Sequence, residues 1–178
     1  MVTIDLITGF LGSGKTTFLK KYAEYLMDQG LHIGILENDF GAINVDMLML
    51  HELRGDQCEL EMIAGGCDAE SHRRRFRTKL ISMRMCGYDR VLVEPSGIYD
   101  VDEFFDVLRE EPLDQWYEIG NVIAILDARL EKNLSQQADY LLASEAANAG
   151  KVILSHADAA TREQCEDTVA HLNRALEQ

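Results

Sequence analysis

The chain has 178 residues, of which 47% are hydrophobic, 27% charged and only two are proline, a composition that fits one globular domain rather than a disordered polymer. Its net charge of −14 excludes the broad basic footprint that nucleic acid or an anionic membrane surface requires. It does not exclude a nucleotide, because one loop and one Mg²⁺ ion hold a few phosphates locally.

Along the chain, short apolar runs alternate with helical periodicity, the pattern of an α/β fold with a mostly parallel sheet. Val2 to Ile7 is predicted as a strand and residues 15–28 as a helix, with Leu19, Tyr22, Ala23 and Leu26 on one face and Gly30 at the stop. Ile33 to Leu36 reads as a buried strand running into Glu37-Asn38-Asp39. A strand over 58–63, a basic helix from Ala69 to Met85 and a central strand at Val91-Leu92-Val93 follow. The turn Glu94-Pro95-Ser96-Gly97 leads to a helix over 101–109, and Asn121 to Leu126 forms a strand ending at Asp127. A helix over 135–147, a last strand at Val152 to Leu154 and a helix from Thr161 to Leu176, capped by Thr161, complete the series. Residues 1–178 are expected to form a single domain. Because the pattern stops after a helix that would ordinarily lead into another strand, a domain cut from a longer protein is also expected.

The segment Gly9-Phe10-Leu11-Gly12-Ser13-Gly14-Lys15-Thr16 has a direct mechanical meaning. Gly12 and Gly14 let the backbone turn and aim successive N–H groups, including those of Ser13 and Lys15, at phosphate oxygens. Lys15 brings a positive charge, Thr16 offers a hydroxyl to Mg²⁺, and Thr17 is placed for a further phosphate contact. A predicted strand precedes the segment and a predicted helix follows it, which is the context the motif needs. The fold class expected is therefore a three-layer α/β/α P-loop NTPase with a mostly parallel sheet.

In open α/β sheets, ligands bind beyond the carboxyl ends of the strands. Asp39 and Glu94 stand there as carboxylate ligands for Mg²⁺, direct or through water, and Gly97 as a backbone donor to a terminal phosphate. Asp127 ends another strand and reads equally well as a loop residue. Lys15, Thr16 and Glu94 are the residues expected to carry catalysis.

These motifs resemble the CobW/HypB/UreG family of metal-centre GTPases, the CobW-type members above all. Thr8 to Thr17 is similar to that family's phosphate loop, Glu37-Asn38-Asp39-Phe40-Gly41 to its acidic switch segment, and Glu94-Pro95-Ser96-Gly97 to its Glu-x-Ser-Gly motif. The resemblance implies a GTPase domain that couples hydrolysis to delivery of a metal ion or cobalt cofactor to a client metalloprotein, with a further C-terminal domain in CobW-type relatives. It implies GTP with Mg²⁺ as ligands, Zn²⁺ or another transition metal as cargo, and a homodimer; a cytoplasmic location is expected separately, from cysteines without disulfide spacing and the lack of a signal peptide or a membrane-length apolar run.

Two departures qualify the resemblance. Where the family carries Gly-Cys-x-Cys-Cys, this chain has Gly66-Cys67-Asp68-Ala69-Glu70, which keeps one thiolate. Cys67 alone, or with Asp68, Glu70 and His72, makes a weaker and harder site than several thiolates would, and a structural cysteine explains it as well. Where the family carries Asn-Lys-x-Asp, this chain has Ser155-His156-Ala157-Asp158. Asp158 retains the acceptors for guanine, favouring GTP over ATP, whereas Ser155 is too short to copy the asparagine and His156 lacks the lysine's long stem.

The remaining features read blandly. Four cysteines without CxxC spacing are reduced thiols, Cys58 and Cys86 lie in apolar patterns and are expected to be buried, and His72 to Lys79 is a basic helix face pairing with nearby acids. A small-molecule kinase, using ATP, and a nucleotide-binding regulator with little turnover are the alternatives to a GTPase. No glutamine stands where it would orient a water, so slow intrinsic turnover is expected.

Overall fold

Alternation decides the strands. The computed structural model describes residues 1–10, 12–39, 45–64, 68–95 and 101–177, and leaves out the side chains at 38, 39, 45–47, 64 and 69. Within it β1 (Val2–Gly9), β2 (Ile33–Asp39), β3 (Cys58–Ala64), β4 (Arg90–Glu94), β5 (Tyr117–Asp127) and β6 (Lys151–Ser155) form one sheet in the order β3-β2-β4-β1-β5-β6. Every pairing is parallel. The helices are α1 (Lys15–Asp28), α2 (Val45–Leu50), α3 (Ala69–Arg84), α4 (Val101–Leu108), α5 (Leu113–Trp116), α6 (Gln136–Ala147) and α7 (Arg162–Leu176).

Parallel strands joined by right-handed crossovers place helices on both faces of a sheet. On one face Ile7, Ile33, Ile35, Leu92, Ile123 and Ile125 pack against Leu19, Ala23 and Leu26 of α1. On the other, Ile4, Leu6, Leu36, Val91 and Val93 pack against α3 and α4 through Phe76, Leu80, Phe104 and Val107. Alternate residues of one strand thus serve opposite layers, which is why β4 reads as a continuous apolar run. A third cluster joins Leu126 to Leu142 of α6 and Leu172 of α7. The expected fold class holds.

Sequence reading differs from the structure in four places. Residues 45–53 form α2 and a 3₁₀ turn, His51–Leu53, which insert the buried Leu50 and Leu53 beside α1. These pieces are too short for periodicity to declare them. The short α5 escaped for the same reason. β5 begins at Tyr117, four residues before the expected Asn121; Glu118 to Asn121 are exposed and hold a single apolar residue, Ile119, too little to signal a strand, and a register shift against β1 falls between Ile4 and Leu6. Tyr117 itself is buried and donates its hydroxyl to the Leu80 carbonyl at 2.7 Å. Finally, Cys86 is exposed, in the turn after α3, whereas Cys58 is buried as expected. The helix ends at Arg84 with Met83 still buried, and Met85, Cys86 and Gly87 of the turn that follows are exposed.

The cap expected at Thr161 is present, and α3 carries one as well. Thr161 accepts from Gln164 N–H and Gln164 reaches back to Thr161 N–H, a complete capping box. Asp68 caps α3 by accepting from Ser71 N–H at 2.8 Å.

Candidate functional site

The chain leaves β1 at Gly9 and re-enters regular structure at Lys15, so the glycine-rich loop joins a central strand to the start of α1. A Cβ on Gly9 would lie 2.1 Å from the Ile125 carbonyl oxygen, so no other residue fits there. Gly14 has φ of 91°, in the left-handed region that favours glycine. Ser13 N–H donates to the Phe10 carbonyl at 3.1 Å, which closes the bend, and the buried Ser13 hydroxyl has no hydrogen-bond partner among the described residues.

Lys15 and Thr16 point inward and are nearly buried. The Lys15 Nζ group donates to the Gly9 carbonyl at 2.7 Å and the Phe10 carbonyl at 3.1 Å, which holds the cation inside the bend. Thr16 Oγ1 donates to Glu94 Oε1 at 2.8 Å. Glu94 ends β4, and Glu37 of β2 is its register partner, both buried. Ile35 and Leu92, two residues earlier, pack on α1, so period-two alternation puts Glu37 and Glu94 on the same face as Thr16. Two carboxylates and a hydroxyl therefore share the carboxyl edge of adjacent strands, a set of hard oxygens of the kind Mg²⁺ prefers.

Of the remaining expected site residues, Gly12 and Thr17 are exposed at the loop and first helical turn. Asp39 ends β2 opposite Ala64, and only its backbone is described. Gly97 and Cys67 lie outside the described residues. Glu37 was read from sequence only as the neighbour of Asp39; the signal that could have singled it out is its parity with Ile33 and Ile35.

The segment after β6 comes to the loop from the other side. A Cβ on Gly14 would meet Ser155 Cβ at 3.6 Å and His156 Cε1 at 3.9 Å. His156 has φ of 53° and its Nδ1 lies 3.0 Å from Asp127 Oδ2. Arg129 also grips Asp127, through two contacts of 3.3 Å. Burial opposes ionisation of Asp127, but the Arg129 hydrogen bonds, with the charges of Arg129 and His156, outweigh it and hold the carboxyl below its ordinary value. Asp127 thus belongs with the segment after β6. Asp158 is exposed in the turn that follows.

Two of the three residues offered beside Cys67, Asp68 and His72, are engaged elsewhere. Asp68 caps α3, Glu70 lies 3.8 Å from Arg74, and the buried His72 meets Glu103 at 2.7 Å. No cluster of three or more metal-ligating side chains occurs among the described residues. The basic helix face is a paired surface: Arg73 meets Glu110 at 2.6 Å, Arg77 meets Glu110 at 3.0 Å and Lys79 meets Glu61 at 2.8 Å.

One buried acid at the loop was not anticipated. Glu145 of α6 accepts hydrogen bonds from the Thr8 hydroxyl and the Gly9 N–H. Burial raises its pKa, against the opposing pull of those two bonds and the Lys15 charge. Its spacing from Leu142, next to Ala146, puts it in the buried stripe of α6, and an acid in such a stripe is the signal that would have found it.

Comparison with known proteins follows the same lines. The profile of the CobW/HypB/UreG nucleotide-binding domain matches residues 3–178. The zinc chaperone YjiA of Escherichia coli is 28% identical over 186 aligned positions, covering 97% of this chain and 55% of that protein. The zinc chaperone YeiR of the same organism is 31% identical over 157 positions, covering 85% of this chain and 47% of that protein. The crystal structure of Zn(II)-bound YjiA GTPase superposes with a TM-score of 0.58 at 21% identity, over 96% of this chain and 54% of that one, which shows a shared fold. The chain spans about half the length of the curated relatives it matches.

Proposed function

The chain belongs to the CobW/HypB/UreG family of nucleotide-binding domains, and from that membership we propose that it binds GTP with Mg²⁺, hydrolyses it, and couples the cycle to delivery of a metal ion to a client protein. The observation that carries this reading is the placement of Lys15, Thr16 and Glu94 around one bend at the carboxyl edge of the sheet.

In this reading the N–H groups at the start of α1 and the Lys15 ammonium hold the nucleotide's terminal phosphates, with the helix dipole adding its positive end. Thr16 and Glu94 would hold Mg²⁺, with Asp39 as a further ligand, and the buried hard-oxygen set at this edge fits that ion. When bound, the ion neutralises charge developing on the transferred phosphoryl group. The protein contributes position and preorganised dipoles rather than a covalent step, because phosphoryl transfer to water needs little else. The Gly97 backbone is proposed to meet the terminal phosphate, Thr17 to add a phosphate contact, and Asp158 to accept from guanine. Ser155 and His156 beside Gly14 support a base site at this end of the loop, one whose selectivity for GTP over ATP is reduced by the missing asparagine and lysine.

Zinc enters as cargo, since two relatives are named zinc chaperones. Cys67 is the soft-metal ligand proposed for it, and a single thiolate argues for weak, transient holding.

The test is a calorimetric titration of GTP and ATP with Mg²⁺, paired with phosphate release with and without Zn²⁺. Binding of GTP in preference to ATP, slow release, and loss of both in Lys15→Ala are expected. Undiminished affinity in that variant would overturn the reading, and binding without release under any condition would select the regulator instead.

A further inference from the structure

Glu145 sits behind the phosphate loop, not in its mouth. It is buried, it accepts from the Thr8 hydroxyl and from the Gly9 N–H, and the same Gly9 offers its carbonyl to Lys15 Nζ. One peptide segment thus links a buried anion on one side to the phosphate-binding cation on the other. The remaining wall around Glu145 is apolar: Ile125 and Leu126 of β5, Val152 of β6, Leu142 on its own helix and Leu172 of α7. Among the described residues, Lys15 is the charged group that acts on it.

Such an anion does two things at once. As an acceptor it fixes the first peptide of the bend, whose N–H would otherwise be buried without a partner. As a negative charge in a low-dielectric pocket it attracts Lys15 and repels incoming phosphates. We infer that Glu145 is a positioning residue that sets the nucleotide affinity of the loop, anchoring Thr8-Gly9 by its hydrogen bonds and opposing phosphate by its charge. This rests on the nucleotide-binding reading above. The burial that disfavours its ionised form agrees with the second role, because an approaching polyphosphate adds to the same penalty and draws a proton onto the carboxylate.

The two roles separate by substitution. Glu145→Gln keeps an acceptor for Gly9 N–H and removes the charge, whereas Glu145→Ala removes both. Titration of GDP into the intact chain at neutral pH should show Glu145→Gln binding about tenfold tighter than wild type, the factor that corresponds to one pKa unit of coupling. Glu145→Ala should bind about tenfold more weakly than Glu145→Gln, for the lost anchor of a buried N–H. Wild-type affinity should also climb as pH falls, relative to a flatter Glu145→Gln profile. Folding of each variant is checked by its thermal transition, and the isosteric glutamine variant carries the test if the alanine variant does not fold. Glutamine binding no tighter than wild type with an unchanged pH profile would overturn the inference while Lys15→Ala still lost binding. A wild-type chain that bound no nucleotide would overturn both readings.

Discussion

Two acids buried on β1 and beside it are held in opposite ways. Asp5, with no exposed surface, receives the Arg90 guanidinium at 2.6 and 2.9 Å, the Tyr22 hydroxyl at 2.9 Å and the Asn121 N–H at 2.6 Å. Glu145 receives one hydroxyl and one N–H, and its nearest cation is committed to the loop carbonyls instead. The first acid has a full counter-charge and every lone pair engaged, so it ties α1, β4 and β5 to β1 away from the ligand edge. The second is only partly compensated and lies behind the loop that phosphate would enter. Complete pairing marks the part of the sheet that must not change; incomplete pairing marks the part that answers to a ligand.

Breaking the paired end should cost the most. Arg90→Ala strands a buried carboxylate, and chemical denaturation should show a loss of about 3–5 kcal/mol. The fraction that remains folded should bind nucleotide as wild type does; a large fall in its affinity would mean the two ends are not independent.

Breaking the ligand end should do the reverse. Lys15→Ala should weaken GTP binding by about 100-fold or more, on the order of 2.7 kcal/mol, with little change in the denaturation midpoint. Comparable losses of stability and affinity would erase the contrast.

A smaller effect distinguishes the acids by pH. The folded-state pKa of Glu145 is raised, so the stability it contributes is complete below its ordinary value of 4.5 and is lost as pH rises through the raised value. Glu145→Gln should remove that part of the slope in denaturation midpoints measured from acid to neutral pH. Asp127, held low by Arg129 and His156 despite its burial, runs the other way: its contribution is present above 3.8 and fades as pH falls through the depressed value.

The least perturbing probe is thiol labelling at pH 8. Burial, reinforced by the Glu59 charge, pushes Cys58 up to about 11, and it has no exposed surface, so it should react only on unfolding, whereas Cys86 should react at once. Rapid modification of Cys58 in the native chain would show that the α1 layer opens easily.

Much of this was legible in one dimension. The loop from Gly9 to Thr16 identifies itself because its chemistry is backbone chemistry, fixed by glycine positions and by a lysine and threonine at set offsets. The central strands were found because both faces of a parallel sheet are buried there, leaving runs such as Val91-Leu92-Val93 with no polar interruption. What stayed hidden was short or polar. Residues 45–53 and 113–116 contain too few turns for a period, and the first residues of β5, where only Tyr117 and Ile119 are apolar, are drawn into the strand by pairing with β1.

The sequence alone determined the fold class, the phosphate loop and the family, since each depends on local order: spacing, alternation and short motifs. The motifs already put Thr16 and Glu94 together, and only the tertiary structure added the other acids of the site. Glu145 meets Thr8 across 137 positions, and Glu37 faces Glu94 through strands that are not consecutive in the chain. Pairing at such separations is set by sheet order and helix crossover, which no window along the chain contains.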